Sequence, residues 1–222
     1  MTEIVPFTAG VTTGFLHVPT ESLDNESLNH ESLNQGVVLT HGAGGNCRAP
    51  LLVAVASGFA SAGLHVLRCD LPFRQRRQFG PPHPSQAGED RNGLRAAVAA
   101  MRAIVPGRIF LGGHSYGGRQ ASILGSEDRS ISDALLLLSY PLHPPKKPEQ
   151  LRTAHFDRLS IPLLFVHGTD DPFGTVEELR AAVRLINSAS ELVTIEGAGH
   201  DLKRGKFDIP ARIVAPFRSR FA

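Results

Sequence analysis

Short, unbroken apolar runs alternate with longer stretches of helical periodicity along most of this chain. Strands are expected at 11–18, 37–40, 64–68, 108–111, 134–139, 163–166 and 192–195. Helices are expected at 50–61, 89–103, 116–124, 175–187 and 210–220. The runs Ala134-Leu135-Leu136-Leu137-Leu138 and Leu163-Leu164-Phe165-Val166 show no polar alternation, as strands covered on both faces require. Strand and helix alternating in this way call for an α/β fold with a mainly parallel central sheet and helices on both faces.

One segment breaks the pattern. Glu21-Ser22-Leu23-Asp24-Asn25 is nearly repeated at 26–30 and 31–35. A five-residue period is too short for a solenoid unit, so the expectation for 20–35 is an expanded, mobile hairpin loop without a catalytic role. The 222 residues suffice for one substantial core and are short for two domains, so a single domain over 1–222 is expected.

Composition narrows the function classes. The formal net charge is +2 with both signs interspersed, which argues against nucleic-acid and membrane partners. No apolar run reaches membrane-spanning length, and the first residues lack the basic and apolar regions of a signal peptide. Two cysteines, Cys47 and Cys69, make a disulfide framework unexpected and suit a reduced, cytoplasmic protein. The ten histidines show no metal-ligand spacing, so no metal or cofactor is expected. His41 and His167, each before a glycine at a strand end, are expected to support loops.

The candidate chemistry begins at Gly113-His114-Ser115-Tyr116-Gly117, a G-x-S-x-G pattern between an apolar strand and a helix that opens with small residues. On so sharp a turn a serine hydroxyl stands clear of the sheet edge, provided small residues flank it. A hydroxyl becomes a good nucleophile only when a base takes its proton, and His200, in the turn after strand 192–195, can serve. A carboxylate would then fix the imidazole tautomer and stabilise the imidazolium. Asp170 and Asp171 compete for that part. The position three residues past Gly168 favours Asp171, leaving Asp170 solvated or capping the turn.

The apolar run 37–40 breaks into His41-Gly42-Ala43-Gly44-Gly45. Its glycines allow close backbone approach, and the N–H groups of Ala43 and Tyr116 are the expected oxyanion donors. A dinucleotide-binding reading of this loop fails because Cys47 stands where its third glycine is needed. Arg74, Arg76 and Arg77 follow a strand that leaves the same sheet edge and are expected to bind an anionic group on the substrate. Four prolines between 139 and 151 predict a stiff rim where a lid could otherwise stand.

With these residues placed, the chain resembles the α/β-hydrolases, in which Ser, Asp and His follow in that order. Four segments carry the likeness: His41-Gly42-Ala43-Gly44, Gly113 to Arg119, Ser139-Tyr140-Pro141-Leu142-His143-Pro144-Pro145, and His167 to Gly174. More narrowly it looks like the small lidless group related to the hydrolase-like domain of animal testis-expressed proteins and of a scaffold subunit in a histone acetyltransferase regulatory complex. Dienelactone hydrolases are more distant relatives, with Cys where this chain has Ser115. The resemblance implies the fold without a large lid and a Ser115, Asp171, His200 triad, but no particular substrate. The expected activity is serine hydrolysis of a small-molecule ester, thioester or lactone. The alternative is a catalytically idle hydrolase fold that acts as a scaffold, and the retained set of chemical groups argues against it.

Overall fold

Alternate side chains of each inner strand go to opposite faces of one eight-stranded sheet. The computed structural model describes residues 2–19, 34–203 and 208–221. Its strands are β1 (Thr2–Ala9), β2 (Thr12–Pro19), β3 (Gly36–Thr40), β4 (His65–Cys69), β5 (Ile109–His114), β6 (Ala134–Leu138), β7 (Leu163–Gly168) and β8 (Ser190–Ile195). They lie in the order β1-β2-β4-β3-β5-β6-β7-β8. Pairings β1–β2 and β2–β4 are antiparallel, and all the others are parallel. The helices are α1 (Pro50–Ser61), α2 (Pro72–Arg76), α3 (Ala87–Arg102), α4 (Tyr116–Glu127), α5 (Val176–Val183) and α6 (Ile209–Phe221).

The two faces form two cores. Leu135 and Leu137 of β6, with Leu163 and Phe165 of β7, pack with Leu94 of α3, Leu124 of α4 and Leu179 of α5. Leu136 and Leu138, with Leu164 and Val166, pack on the other face with Phe59 of α1 and Phe217 of α6. Phe217 meets Phe59 and Phe110 edge to face, with ring centroids 5.3 and 5.0 Å away. Both faces of β6 and β7 are therefore dry, which is why their sequences carry no polar alternation.

Two features differ from the sequence expectations. Strand β1 was not expected, because Pro6 and its half-exposed positions blur the pattern. It lies at the sheet edge, where a missing N–H costs no ladder bond. Helix α2 is only five residues long, with Pro72 in its first turn, and is too short to show a period. The repeat at 20–35, expected as a mobile hairpin loop, lies almost wholly outside the described residues. Strands β2 and β3, before and after it in the chain, are separated in the sheet by β4.

Between β6 and β7 the chain is irregular apart from one short 3-10 turn, Phe156–Arg158, so no helical lid is built there. No helix among the described residues is long and apolar enough to cross a membrane. The chain order reverses between β4-β3 and β3-β5, and at such a switch point the loops leaving the strands diverge to form a crevice.

Candidate active site

Ser115 leaves the end of β5 at φ 51° and ψ −115°, a conformation that L residues rarely adopt. Close packing on both sides enforces it. A Cβ on Gly113 would come within 2.8 Å of the Gly117 carbonyl carbon, and one on Gly117 within 2.5 Å of the His41 oxygen. Side chains at either position would push helix α4 off the sheet edge.

The hydroxyl that this turn exposes is one end of a hydrogen-bonded chain. His200 Nε2 lies 2.8 Å from Ser115 Oγ, and His200 Nδ1 lies 2.8 and 3.0 Å from the two carboxylate oxygens of Asp171. Nδ1–H donates to Asp171, which leaves the Nε2 lone pair facing the serine. The Asp171 carboxylate also accepts the Phe173 N–H at 2.9 Å, and its side chain is wholly buried. Asp170, by contrast, is exposed. Phe173 covers the imidazole, with ring centroids 4.2 Å apart.

The supports behind this chain are histidines. His167 is fully buried and donates through Nε2 to the Gly174 carbonyl at 2.8 Å, which closes the turn that carries Asp171. His114 donates through Nε2 to the His200 carbonyl at 2.8 Å, and burial lowers its pKa to about 4. A neutral His114 adds no second positive charge beside His200. In the sequence His114 is only the variable position of the G-x-S-x-G elbow, and no pattern marks it as a support.

The loop after β3 abuts the serine. A Cβ placed on Gly42 would lie 3.0 Å from His114 Nδ1 and 3.3 Å from Ser115 Cβ, so a side chain here would crowd the serine. His41 donates through Nδ1 to the Gly42 carbonyl at 2.8 Å, and its Nε2 accepts the Leu71 N–H at 3.1 Å. Burial lowers its pKa and so keeps it neutral for both bonds. Asp70 accepts the Cys47 N–H at 2.6 Å and holds the far end of the loop. Tyr116 opens α4, so its N–H has no partner within the helix. Its hydroxyl donates to buried Asp90 at 2.7 Å, and Asp90 also accepts the Phe73 N–H at 3.0 Å.

Arg74, Arg76 and Arg77 do not reach the site as expected. The Arg74 guanidinium is buried and donates to the carbonyls of Gln78 (2.6 Å), Ala43 (2.8 Å), Gly80 (2.9 Å) and Arg77 (3.0 Å). It ties its own loop to the one carrying Ala43. Arg76 pairs with Glu89, and Arg77 donates to the Pro81 carbonyl. None of the three lines either cavity at Ser115.

Two cavities meet at the serine. The first, about 470 Å³, runs along the Gly42–Gly45 loop to Pro50 and Leu51 and is bounded by His200. The second, about 550 Å³, lies over the start of α4 and reaches Arg91, Arg119, Ile123 and Arg152. Ala43, Ser115 and Phe173 border both. Cys47 and Cys69 are buried and unpaired, and burial pushes both thiols up to about 12, which suits inert apolar filling. Among the described residues no cluster of three or more His, Cys, Asp or Glu is placed to hold a metal.

Comparison with known proteins gives the same frame. Residues 34–208 match the model of the α/β hydrolase domain. A dienelactone hydrolase from Anabaena variabilis is 19% identical, with a TM-score of 0.72 over 100% of this chain and 98% of that one. A lidless α/β serine hydrolase from Xanthomonas campestris is 16% identical, with a TM-score of 0.73 over 99% and 95%. Est1E from Butyrivibrio proteoclasticus with bound ferulic acid is 18% identical, with a TM-score of 0.74 over 98% of each chain. At such identities the likeness speaks for the fold.

Proposed function

Because the chain belongs to the α/β-hydrolase domain family, we propose that it is a serine hydrolase that cleaves a small ester, thioester or lactone through an acyl-enzyme on Ser115. One observation carries this reading: the unbroken chain Ser115 Oγ–His200–Asp171, with 2.8 Å at each junction, at the strained tip of the elbow.

The steps follow from the hydrogen bonding. His200 Nε2 takes the Ser115 proton as Oγ attacks the substrate carbonyl carbon, and Asp171 stabilises the imidazolium. The carbonyl electron pair moves onto oxygen, where the N–H groups of Ala43 and Tyr116 receive it. As the tetrahedral intermediate collapses, His200 returns its proton to the leaving oxygen or sulfur, and the acyl group stays on Oγ. Water, deprotonated by His200, then attacks the acyl-enzyme. Carboxylate product leaves, and Ser115 recovers its proton.

Ser115→Ala is expected to lower turnover of small esters by about a millionfold, the typical cost of losing a triad nucleophile. Steady-state hydrolysis of an ester panel, with circular dichroism to verify folding, checks this. A folded variant with wild-type turnover would refute the assignment.

A further inference from the structure

The second cavity carries an unusual electrostatic load. Arg91, Arg119 and Arg152 all line it, and no Asp or Glu does. Arg91 is balanced, because it pairs with Glu127 at 3.2 Å and donates to Gln120 Oε1 at 3.1 Å. The other two are not. Among the described residues neither Arg119 nor Arg152 is ion-paired with a carboxylate. Arg119 Nε is buried with no hydrogen-bond partner, and Arg152 spends Nη1 on the Pro141 carbonyl at 3.2 Å. The two are close enough for the charge of Arg119, after burial itself, to lower the Arg152 pKa.

Half-buried like charges without a counterion are costly, and an anionic ligand removes that cost. A guanidinium fork is the group best suited to a carboxylate. Arg119 stands four residues after Ser115, one helical turn or about 6 Å along α4. An anion there would sit a short spacer away from the reacting carbonyl.

The two cavities also differ in which part of a substrate they can take. His200 must hand its proton to the leaving group, and it borders the first cavity but not the second. The leaving group therefore enters the first, and the acyl chain enters the second.

We propose that Arg119 and Arg152 form an anion-binding subsite for the acyl end of the substrate, so that the preferred substrates are half-esters or half-thioesters of short dicarboxylic acids. This rests on the serine hydrolase reading above. It relocates the anion site from the Arg74–Arg77 segment to Arg119 of α4 and Arg152 of the irregular chain after β6.

The test compares monoethyl glutarate with ethyl valerate, which matches it in length but ends in a methyl group, and 5-acetoxyvalerate with pentyl acetate. The wild type is expected to favour the half-ester over ethyl valerate by at least about tenfold in kcat/KM, the scale of one charged hydrogen bond. It should show no such preference for 5-acetoxyvalerate, whose carboxylate is on the alcohol side. In Arg119→Gln/Arg152→Gln the half-ester preference should collapse about 10- to 100-fold, and Arg119→Lys should retain part of it. Free glutarate should slow fluorophosphonate labelling of wild-type Ser115, and valeramide should not. That readout needs no variant to fold and no ester to be turned over.

Equal rates on the half-ester and ethyl valerate, or glutarate without effect on labelling, would overturn the subsite while leaving the hydrolase reading intact. A preference that survives in the double variant would also overturn it. Absence of both labelling and ester cleavage would instead bring down the hydrolase reading on which it rests.

Discussion

Ser115 holds a left-handed φ at a cost of roughly 1–2 kcal/mol, and that conformation is what turns its hydroxyl toward His200. Its setting was legible in the sequence because glycines at 113 and 117 are forced by close backbone contacts. The choice between adjacent acids was harder and turned on one position. Asp171 is buried against His200, and Asp170 faces solvent. Asp171→Asn should therefore lower kcat by about 10⁴-fold through loss of the correct imidazole tautomer, and Asp170→Asn should cost far less. Steady-state rates of both variants on one ester decide it, and a reversed order of losses would contradict the geometry. Arg152 was invisible beforehand because it lies in irregular chain with no period to mark it. Arg119 did leave a sign, since its spacing of four from Ser115 sets it one helical turn away.

Among elements, the alternating strands and helices after Gly36 were readable because buried parallel strands must be apolar throughout. Edge strand β1 and the five-residue α2 were not, since neither is long enough or buried enough to impose a pattern. The Arg74–Arg77 segment shows what sequence alone hides. Arginine's fork was expected to serve an outside anion, yet Arg74 spends it on four backbone carbonyls, including that of Ala43. Arg74 is thus a positioning residue for the loop proposed to hold the oxyanion. Arg74→Met should lower kcat about 10- to 100-fold and move KM much less, because a displaced N–H acts mainly on the transition state. Arg74→Lys should restore only part of the rate, since one ammonium cannot satisfy the planar set. A lowered Tm with unchanged kcat would assign Arg74 to stability alone.

The whole molecule buries several histidines in neutral form, which ties its stability to pH. Burial, aided by the charges of Arg68 and Arg119 respectively, lowers His17 and His155 to about 4, and burial, aided by the charge of His200, takes His114 to the same value. Above pH 6.5 these groups are neutral in both folded and unfolded chains and add no pH dependence. Between 6.5 and about 4 the unfolded chain takes up protons that the folded one refuses, so stability falls as pH drops. Each such histidine costs up to about 1.4 kcal/mol per pH unit. Urea unfolding midpoints should decline steadily from pH 6.5 to 4.5, and a flat profile would contradict the neutral burial. At the same scale, the sheet order places the strand ends that lead into Ser115, Asp171 and His200 along one edge, where the three side chains meet. The proposal that this edge is a working serine hydrolase site is tested most directly by a fluorophosphonate probe, with the adduct located by mass spectrometry of peptides. A single adduct on Ser115 is predicted, lost in Ser115→Ala and strongly slowed in His200→Ala. A folded wild-type protein that takes up no probe at Ser115, or takes it up equally without His200, would contradict the account.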